Sequence, residues 1–113
     1  MSYKYISPSE INKEEFEAIL VGDFAIPELC QAIVNAVHNI DDSDWLLSKF
    51  RPLLKHDDEQ VRGVTVTCVG HIARLDSNAN GDQLLTILRP LKSEKALAGL
   101  VDDAMDDVLR FSK

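Results

Sequence analysis

The chain repeats a short segment of its own sequence after 38 residues. Leu46–Leu53 reads LLSKFRPL and Leu84–Leu91 reads LLTILRPL, so two leucines and an Arg-Pro-Leu triplet coincide. With one further residue of gap, the apolar pattern of residues 65–72 also falls on that of residues 104–111. Self-similarity at such a period is typical of repeat architectures, in which each unit buries its apolar face against the next. The repeat therefore predicts stacked units of two segments each.

Apolar residues recur every three or four positions in these segments, which is the period of an amphipathic helix. A cluster of β-branched residues at Val61–Val69 leaves a strand as an alternative there, but this propensity is weak. We predict an all-α fold of about six helices in three stacked antiparallel hairpins, within a single domain of residues 1–113. The predicted hairpin units are residues 7–40, 42–75 and 81–112.

Signals for the helix ends refine these units. The first helix begins after a cap at Ser7 or Asn12, and the second opens at Pro27. Pro52 is expected to loosen the end of the third helix, and the fifth carries Leu91 close to its end. The sixth is predicted to run from about Glu94 to Phe111, with Leu100 and Leu109 among its inward side chains.

Residues 50–72 resemble a HEAT repeat. A proline stands late in the first helix, aspartates mark the turn, Val61-Arg62 opens the second helix, and Val69-Gly70 follows a stretch of small residues. The resemblance implies a HEAT-like α-solenoid, whose helix faces and turns form its binding surface. We expect Arg62 to tie neighbouring units together by pairing with Asp57 or Asp58. The last unit lacks the Val-Arg pair, as a terminal cap does.

No constellation for catalysis stands out. The sequence has no phosphate-binding glycine loop, no nucleophile elbow and no metalloprotease motif, and Cys68 with His71 forms an isolated pair without further ligands. Cys30 and Cys68 are expected to be reduced core residues. We therefore predict a protein that is not an enzyme and has no catalytic residues, cofactor or metal.

The charge of the chain restricts its partners. Nineteen acidic residues against 12 basic ones give a formal charge of −7, which argues against binding nucleic acid or an anionic membrane. The sequence shows no signal peptide and no apolar run near the roughly 20 residues of a membrane span. We predict a cytoplasmic protein that is a monomer when free and binds a basic protein partner.

The last predicted helix carries Asp102, Asp103, Asp106 and Asp107, which form like-charge pairs at positions i and i+4. Each such pair costs a few tenths of a kcal/mol (about 0.2–0.5), and negative charge near a helix C-terminus opposes the macrodipole. Two interpretations stay open. The aspartates either maintain solubility or dock a basic partner.

Turn residues extend this candidate surface if the turns lie along one edge of the stack. The complete predicted partner-binding set is Asp41, Asp42, Asp44, Trp45, Asp57, Asp58, Glu59, Asp102, Asp103, Asp106 and Asp107.

In size, helicity and charge the chain resembles the small HEAT-like immunity proteins of contact-dependent growth inhibition and related polymorphic toxin systems. The resemblance implies a protein that binds and neutralises a cationic toxin domain, such as a nuclease, by masking its active site or substrate groove. The alternative is a HEAT-like adaptor or assembly factor that binds a peptide or subunit through an apolar groove, with Trp45 and Phe24 as anchors. A repeat-family enzyme, such as a chromophore lyase, is a distant third.

Overall fold

The computed structural model describes residues 11–112, which form six α-helices and a 3-10 helix and contain no β-strand. The predicted all-α fold is therefore confirmed, and Val61–Val69 is helical. The elements are α1 (Lys13–Val21), α2 (Ile26–Asn39), α3 (Ser43–Leu53), α4 (Glu59–Leu75), α5 (Gly81–Leu88), the 3-10 helix (Arg89–Ser93) and α6 (Ala98–Phe111).

Side-chain caps fix where several helices begin. Asn12 accepts a hydrogen bond from the Glu15 amide at 2.8 Å, and the Glu15 carboxylate accepts one from the Asn12 amide at 2.9 Å. This capping box satisfies two amides of the first turn, which have no partner within the helix. It supports the second of the two predicted starts, and Ser7 lies outside the described residues. The side chains of Asp42, Asp58 and Asn80 accept hydrogen bonds from first-turn amides and so cap α3, α4 and α5.

The predicted end of the fifth helix and the predicted start of the sixth are wrong. Helix α5 stops at Leu88, and the chain tightens into the 3-10 helix because Pro90 has no amide to donate to an α-helical carbonyl. Glu94 then has an extended backbone, and a turn leads to Ala98. Helix α6 therefore begins four residues later than the predicted start at Glu94.

The helices form two layers. Helix α4 packs between α2 and α6 in one layer, while α1 contacts α2, α3 contacts α4, and α5 contacts α4 and α6 from the other side. This arrangement is compatible with a HEAT-like stack of hairpins. The inward residues predicted for α2 and α4 are all buried: Leu29, Ile33, Ala36, Val37, Ile40, Val61, Thr65, Cys68, Val69 and Ile72.

The contact between α4 and α6 depends on one glycine. A Cβ atom added at Gly70 would lie 2.9 Å from the Cα of Ala104, closer than real Cβ contacts come. Gly70 thus lets the two backbones approach directly, where any larger side chain would hold them apart. Thr65, the buried polar residue of this helix, donates its hydroxyl proton to the Val61 carbonyl at 2.7 Å.

Three predicted details of packing are wrong. Leu100 and Leu109 are predicted to point inward, but they are 39% and 66% exposed. The face that α6 turns to the core is narrower than predicted and includes Leu97 and Val101. Arg62 does tie two hairpins together, but its carboxylate partner is Glu94 in the connection before α6. Its other contacts are the carbonyls of the preceding turn, at residues 56 and 57.

Candidate functional site

The acidic turns lie at opposite edges of the stack. Asp41, Asp42 and Asp44 surround the start of α3, where Ser43 donates a 2.6 Å hydrogen bond to a carboxylate at the end of α4. Asp57 and Asp58 lie in the turn at the other end of α3, and Glu59 is the first residue of α4. The two clusters lie at opposite ends of α3, whose eleven residues span about 16 Å. The single acidic edge that would have joined these turns is not formed.

Two of these turn aspartates stabilise the starts of helices. Asp42 caps α3 through the Trp45 amide at 3.1 Å and pairs with Lys13 at 2.6 Å. The hydrogen bond from Lys13, followed by the one from the Trp45 amide, lowers the pKa of the Asp42 carboxyl below its usual value. Asp58 accepts from the Gln60 amide at 2.8 Å and so caps α4. Their position at helix N-termini is itself a sufficient reason for their charge.

The four aspartates of α6 point in several directions. At about 100° per residue, Asp102 and Asp107 are separated by roughly 140° around the helix axis. Asp102 pairs with Lys92 at 3.0 Å on the α5 side. Asp107 is half-buried on the α4 side, near His71, whereas Asp103 and Asp106 are exposed between them. The aspartates therefore cover a broad polar face of α6 rather than one narrow stripe for docking.

Trp45 is a packed side chain rather than an open anchor. It is half-buried against Phe16, with ring centroids 6.2 Å apart. The ammonium groups of Lys13 and Lys49 lie 5.4 and 5.3 Å from its ring centroid, within the range of cation–π attraction. Phe24, the other aromatic of the alternative hypothesis, is exposed in the turn between α1 and α2.

A groove that the sequence analysis missed crosses the open face of the α2, α4 and α6 layer. Its volume is about 500 Å³, and its centre is formed by apolar or small side chains. The lining residues are Pro27, Cys30 and Val34 of α2, Glu59, Gln60, Gly63, Val64, Thr67, Cys68 and His71 of α4, and Ala96, Leu97 and Leu100 at the start of α6. We call this the concave groove. The sequence did contain a signal for this groove. The second helix of a predicted hairpin carries an additional apolar stripe, such as Cys30 with Val34.

Acidic groups stand at both ends of the concave groove. Glu59 lines one end, and Asp58 is close enough for its charge to raise the pKa of the Cys30 thiol, after the larger effect of burial. Asp107 faces His71 at the other end. Of the predicted partner-binding residues, Glu59 therefore lines the groove, and Asp58 and Asp107 lie close to its lining residues Cys30 and His71.

The pKa values of both groove thiols and of the His71 imidazole are shifted in the direction that favours their neutral forms. Burial, followed by the nearby Cys30, raises the pKa of Cys68 to about 12, so it is a poor nucleophile. Burial is also the main reason that the pKa of His71 is lowered, with His38 and Arg74 adding to the effect and Asp107 opposing it. The His38 and His71 rings are 5.6 Å apart, and Nδ1 of His71 is buried without a hydrogen-bond partner.

Both cysteines are free, but only Cys68 is a core residue, since Cys30 is half-buried in the groove wall. Among residues 11–112, no group of three or more His, Cys, Asp and Glu side chains is placed to hold a metal ion. None of the helices in the same range combines the length and the apolar character that crossing a membrane requires.

Comparison with known proteins gives a structural match. No family model and no curated protein sequence matches the chain. Its structure is similar to a chain of a solved structure described as the crystal structure of a CDI complex from Cupriavidus taiwanensis LMG 19424, with a TM-score of 0.83 and 25% sequence identity. The similarity covers 97% of this chain and 98% of that one. It confirms the predicted resemblance to the proteins of CDI systems.

Proposed function

We propose that this chain is the immunity component of a contact-dependent growth inhibition (CDI) system, and that it neutralises a toxin domain by binding it. The observation that carries the proposal is the similarity to a chain of a CDI complex over nearly the full length of both chains. A match of that extent concerns the whole domain rather than a shared helical hairpin.

The charge of the chain supports a more specific partner. A formal charge of −7 favours a basic surface, and a toxin that acts on nucleic acid needs Lys and Arg to bind phosphates. We propose a cationic toxin, such as a nuclease, that is captured in the cytoplasm by the monomeric protein and masked at its substrate groove. The protein then acts by occupying a site and catalyses no reaction.

The proposal predicts that a toxin domain is encoded directly beside this chain, and that domain is the reagent for the test. Expression of that domain alone should stop growth, and co-expression of this chain should restore it. Purified toxin domain and this chain should form a 1:1 complex whose affinity falls with added salt. A toxin that still stops growth in the presence of a folded, abundant copy of this chain would refute the proposal.

The adaptor hypothesis gains one supporting observation, the concave groove. An adaptor would bind a peptide or subunit through apolar contacts, with little dependence on salt, and would give no protection against the toxin. The growth assay and the salt series therefore separate the two functions.

A further inference from the structure

We propose that the concave groove is the surface that receives the toxin, and that it binds a toxin segment presenting aliphatic side chains flanked by Lys or Arg. This inference rests on the proposed function and adds to it the surface and the chemistry of the bound segment.

The floor of the groove consists of apolar side chains that the protein itself leaves uncovered. Val64 and Cys30 are only half-buried, and Leu100 is 39% exposed beside them. Leu100 lies across Gly63, where an added Cβ atom would come within 2.9 Å of its Cδ1 atom. A recess of about 500 Å³ is large enough for several side chains of a partner, and burial of its floor would stabilise a complex.

Charge selects the occupant of the groove. Glu59 lines one end of the groove, with Asp58 close to Cys30 there, and Asp107 lies close to His71 at the other end. The charge of Arg74 also acts on His71, and its guanidinium lies over the Phe111 ring, 5.6 Å from the centroid. A segment with an apolar centre and basic flanks complements this pattern, whereas an acidic segment would meet carboxylates at both ends.

A second recess, of about 510 Å³, carries Glu14 and Glu17 beside Ala18, Leu20 and Val21, but the cationic side chain of Lys49 also lines it. The ring of Trp45 is covered by Lys13 and Lys49, which pair with Asp42 and Glu17, so its face is already occupied. The outer face of α6 presents Asp103 and Asp106 on an exposed helix surface. The concave groove combines Glu59 with apolar contact area, and its described lining residues include no Lys or Arg.

A matched pair of variants tests the inference. Val64→Arg places a cation on the groove floor, and Ser48→Arg adds the same charge on an exposed position of α3, which does not line the groove. Binding of the adjacent toxin domain should weaken about a hundredfold or more for Val64→Arg and less than about threefold for Ser48→Arg. Equal affinities for the two variants would overturn the inference.

A native thiol gives a second readout that needs no groove mutation. Cys30 in the groove wall should react slowly with a maleimide at alkaline pH in the free protein and should be protected in the toxin complex, whereas Cys68 is buried throughout. A Cys30→Ala, Ser48→Cys variant should label equally in both states. If Val64→Arg does not fold, this comparison decides the matter.

The results separate the inference from the proposed function. Wild-type protein that binds the toxin while Cys30 stays reactive refutes the groove alone. Wild-type protein that does not bind the toxin refutes the proposed function and, with it, the groove.

Discussion

The two sides of α6 differ in what they offer a partner. The side toward α4 carries Leu100 and Asp107 at the concave groove, where one carboxylate stands beside uncovered apolar surface. The outer side carries Asp103 and Asp106, which are exposed, together with Asp102 and its exposed pair with Lys92. Carboxylates are denser on the outer side, whereas the groove side combines a carboxylate with an apolar recess.

This difference shows that a dense charge pattern is not by itself a sign of a binding site. Carboxylates on an open helix face are already solvated by water, so their exposure needs no partner to explain it. Apolar side chains in a recess gain stability only when something covers them. The groove side of α6 is therefore the more informative one, although the outer side has the more conspicuous sequence.

The largest expected effect concerns how tightly the inner side of α6 packs. Gly70→Ala should lower the free energy of unfolding by about 1–3 kcal/mol, because the new methyl group would overlap Ala104. Gly99→Ala is the matched control on the outer side of α6, where an added Cβ meets nothing within 4 Å. It should leave stability unchanged or raise it by up to about 1 kcal/mol. Urea unfolding of both variants checks this, and equal effects would contradict the close α4–α6 contact.

A second comparison concerns toxin binding on the two sides of α6. Asp107→Asn should weaken binding by about three- to tenfold, since it removes a carboxylate at the end of the groove. Asp106→Asn, which removes the same charge from the outer side, should change the affinity by less than about twofold. Calorimetric titration at two salt concentrations measures both values. A larger loss for Asp106→Asn would make the outer side the docking surface.

The protein should become more stable when the negative charge on the outer side of α6 is reduced. Replacing Asp102, Asp103 and Asp106 by Asn should raise the free energy of unfolding by about 0.5–1 kcal/mol, through less repulsion and less conflict with the helix dipole. The loss of the exposed Lys92 pair should cost little. Thermal and urea unfolding provide the measurement. A clear loss of stability would show that these aspartates make contacts that support the helix.

The smallest effect is a pH dependence at the groove. The pKa of His71 is lower in the folded protein than its ordinary value of 6.5, so the unfolded chain binds a proton more readily. The free energy of unfolding should therefore fall as the pH drops below about 7, and it should level off below the pKa that His71 has in the folded protein. His71→Gln should flatten this part of the curve, while Asp107→Asn should steepen it, because Asp107 opposes the lowering. Urea unfolding between pH 5 and 8 would detect either change, and an unaltered curve in His71→Gln would exclude His71 as its source.

Local signals predicted most of the helices. The bounds of α2, α3 and α4 follow from apolar spacing, from caps such as Asp42 and Asp58, and from breaks that act within a few residues. The same reasoning failed at α5 and α6, where a 3-10 segment after Leu88 and a turn before Ala98 replaced continuous helix. Proline predicts an interruption, but the geometry that follows it depends on how α6 packs back on α4.

The candidate site was far less accessible from sequence. The turn aspartates extend the candidate surface only if the turns lie along one edge of the stack, and the turns at the two ends of α3 are about 16 Å apart. The predicted partner of Arg62 was wrong for a similar reason. Its actual partner, Glu94, is 32 residues away in the chain and is brought near by the stacking of two hairpins.

The sequence by itself determined the all-α class, the helical periods, the caps and the acidic balance, because each depends on residues within one or two helical turns or on a simple count of charges. Only the tertiary structure decided where the concave groove lies. Cys30, Val64 and Leu100 come from three helices that are separated by more than 30 residues in the chain. They share one recess because α4 packs between α2 and α6, and that packing depends on close contacts such as Gly70 against Ala104 rather than on any local pattern.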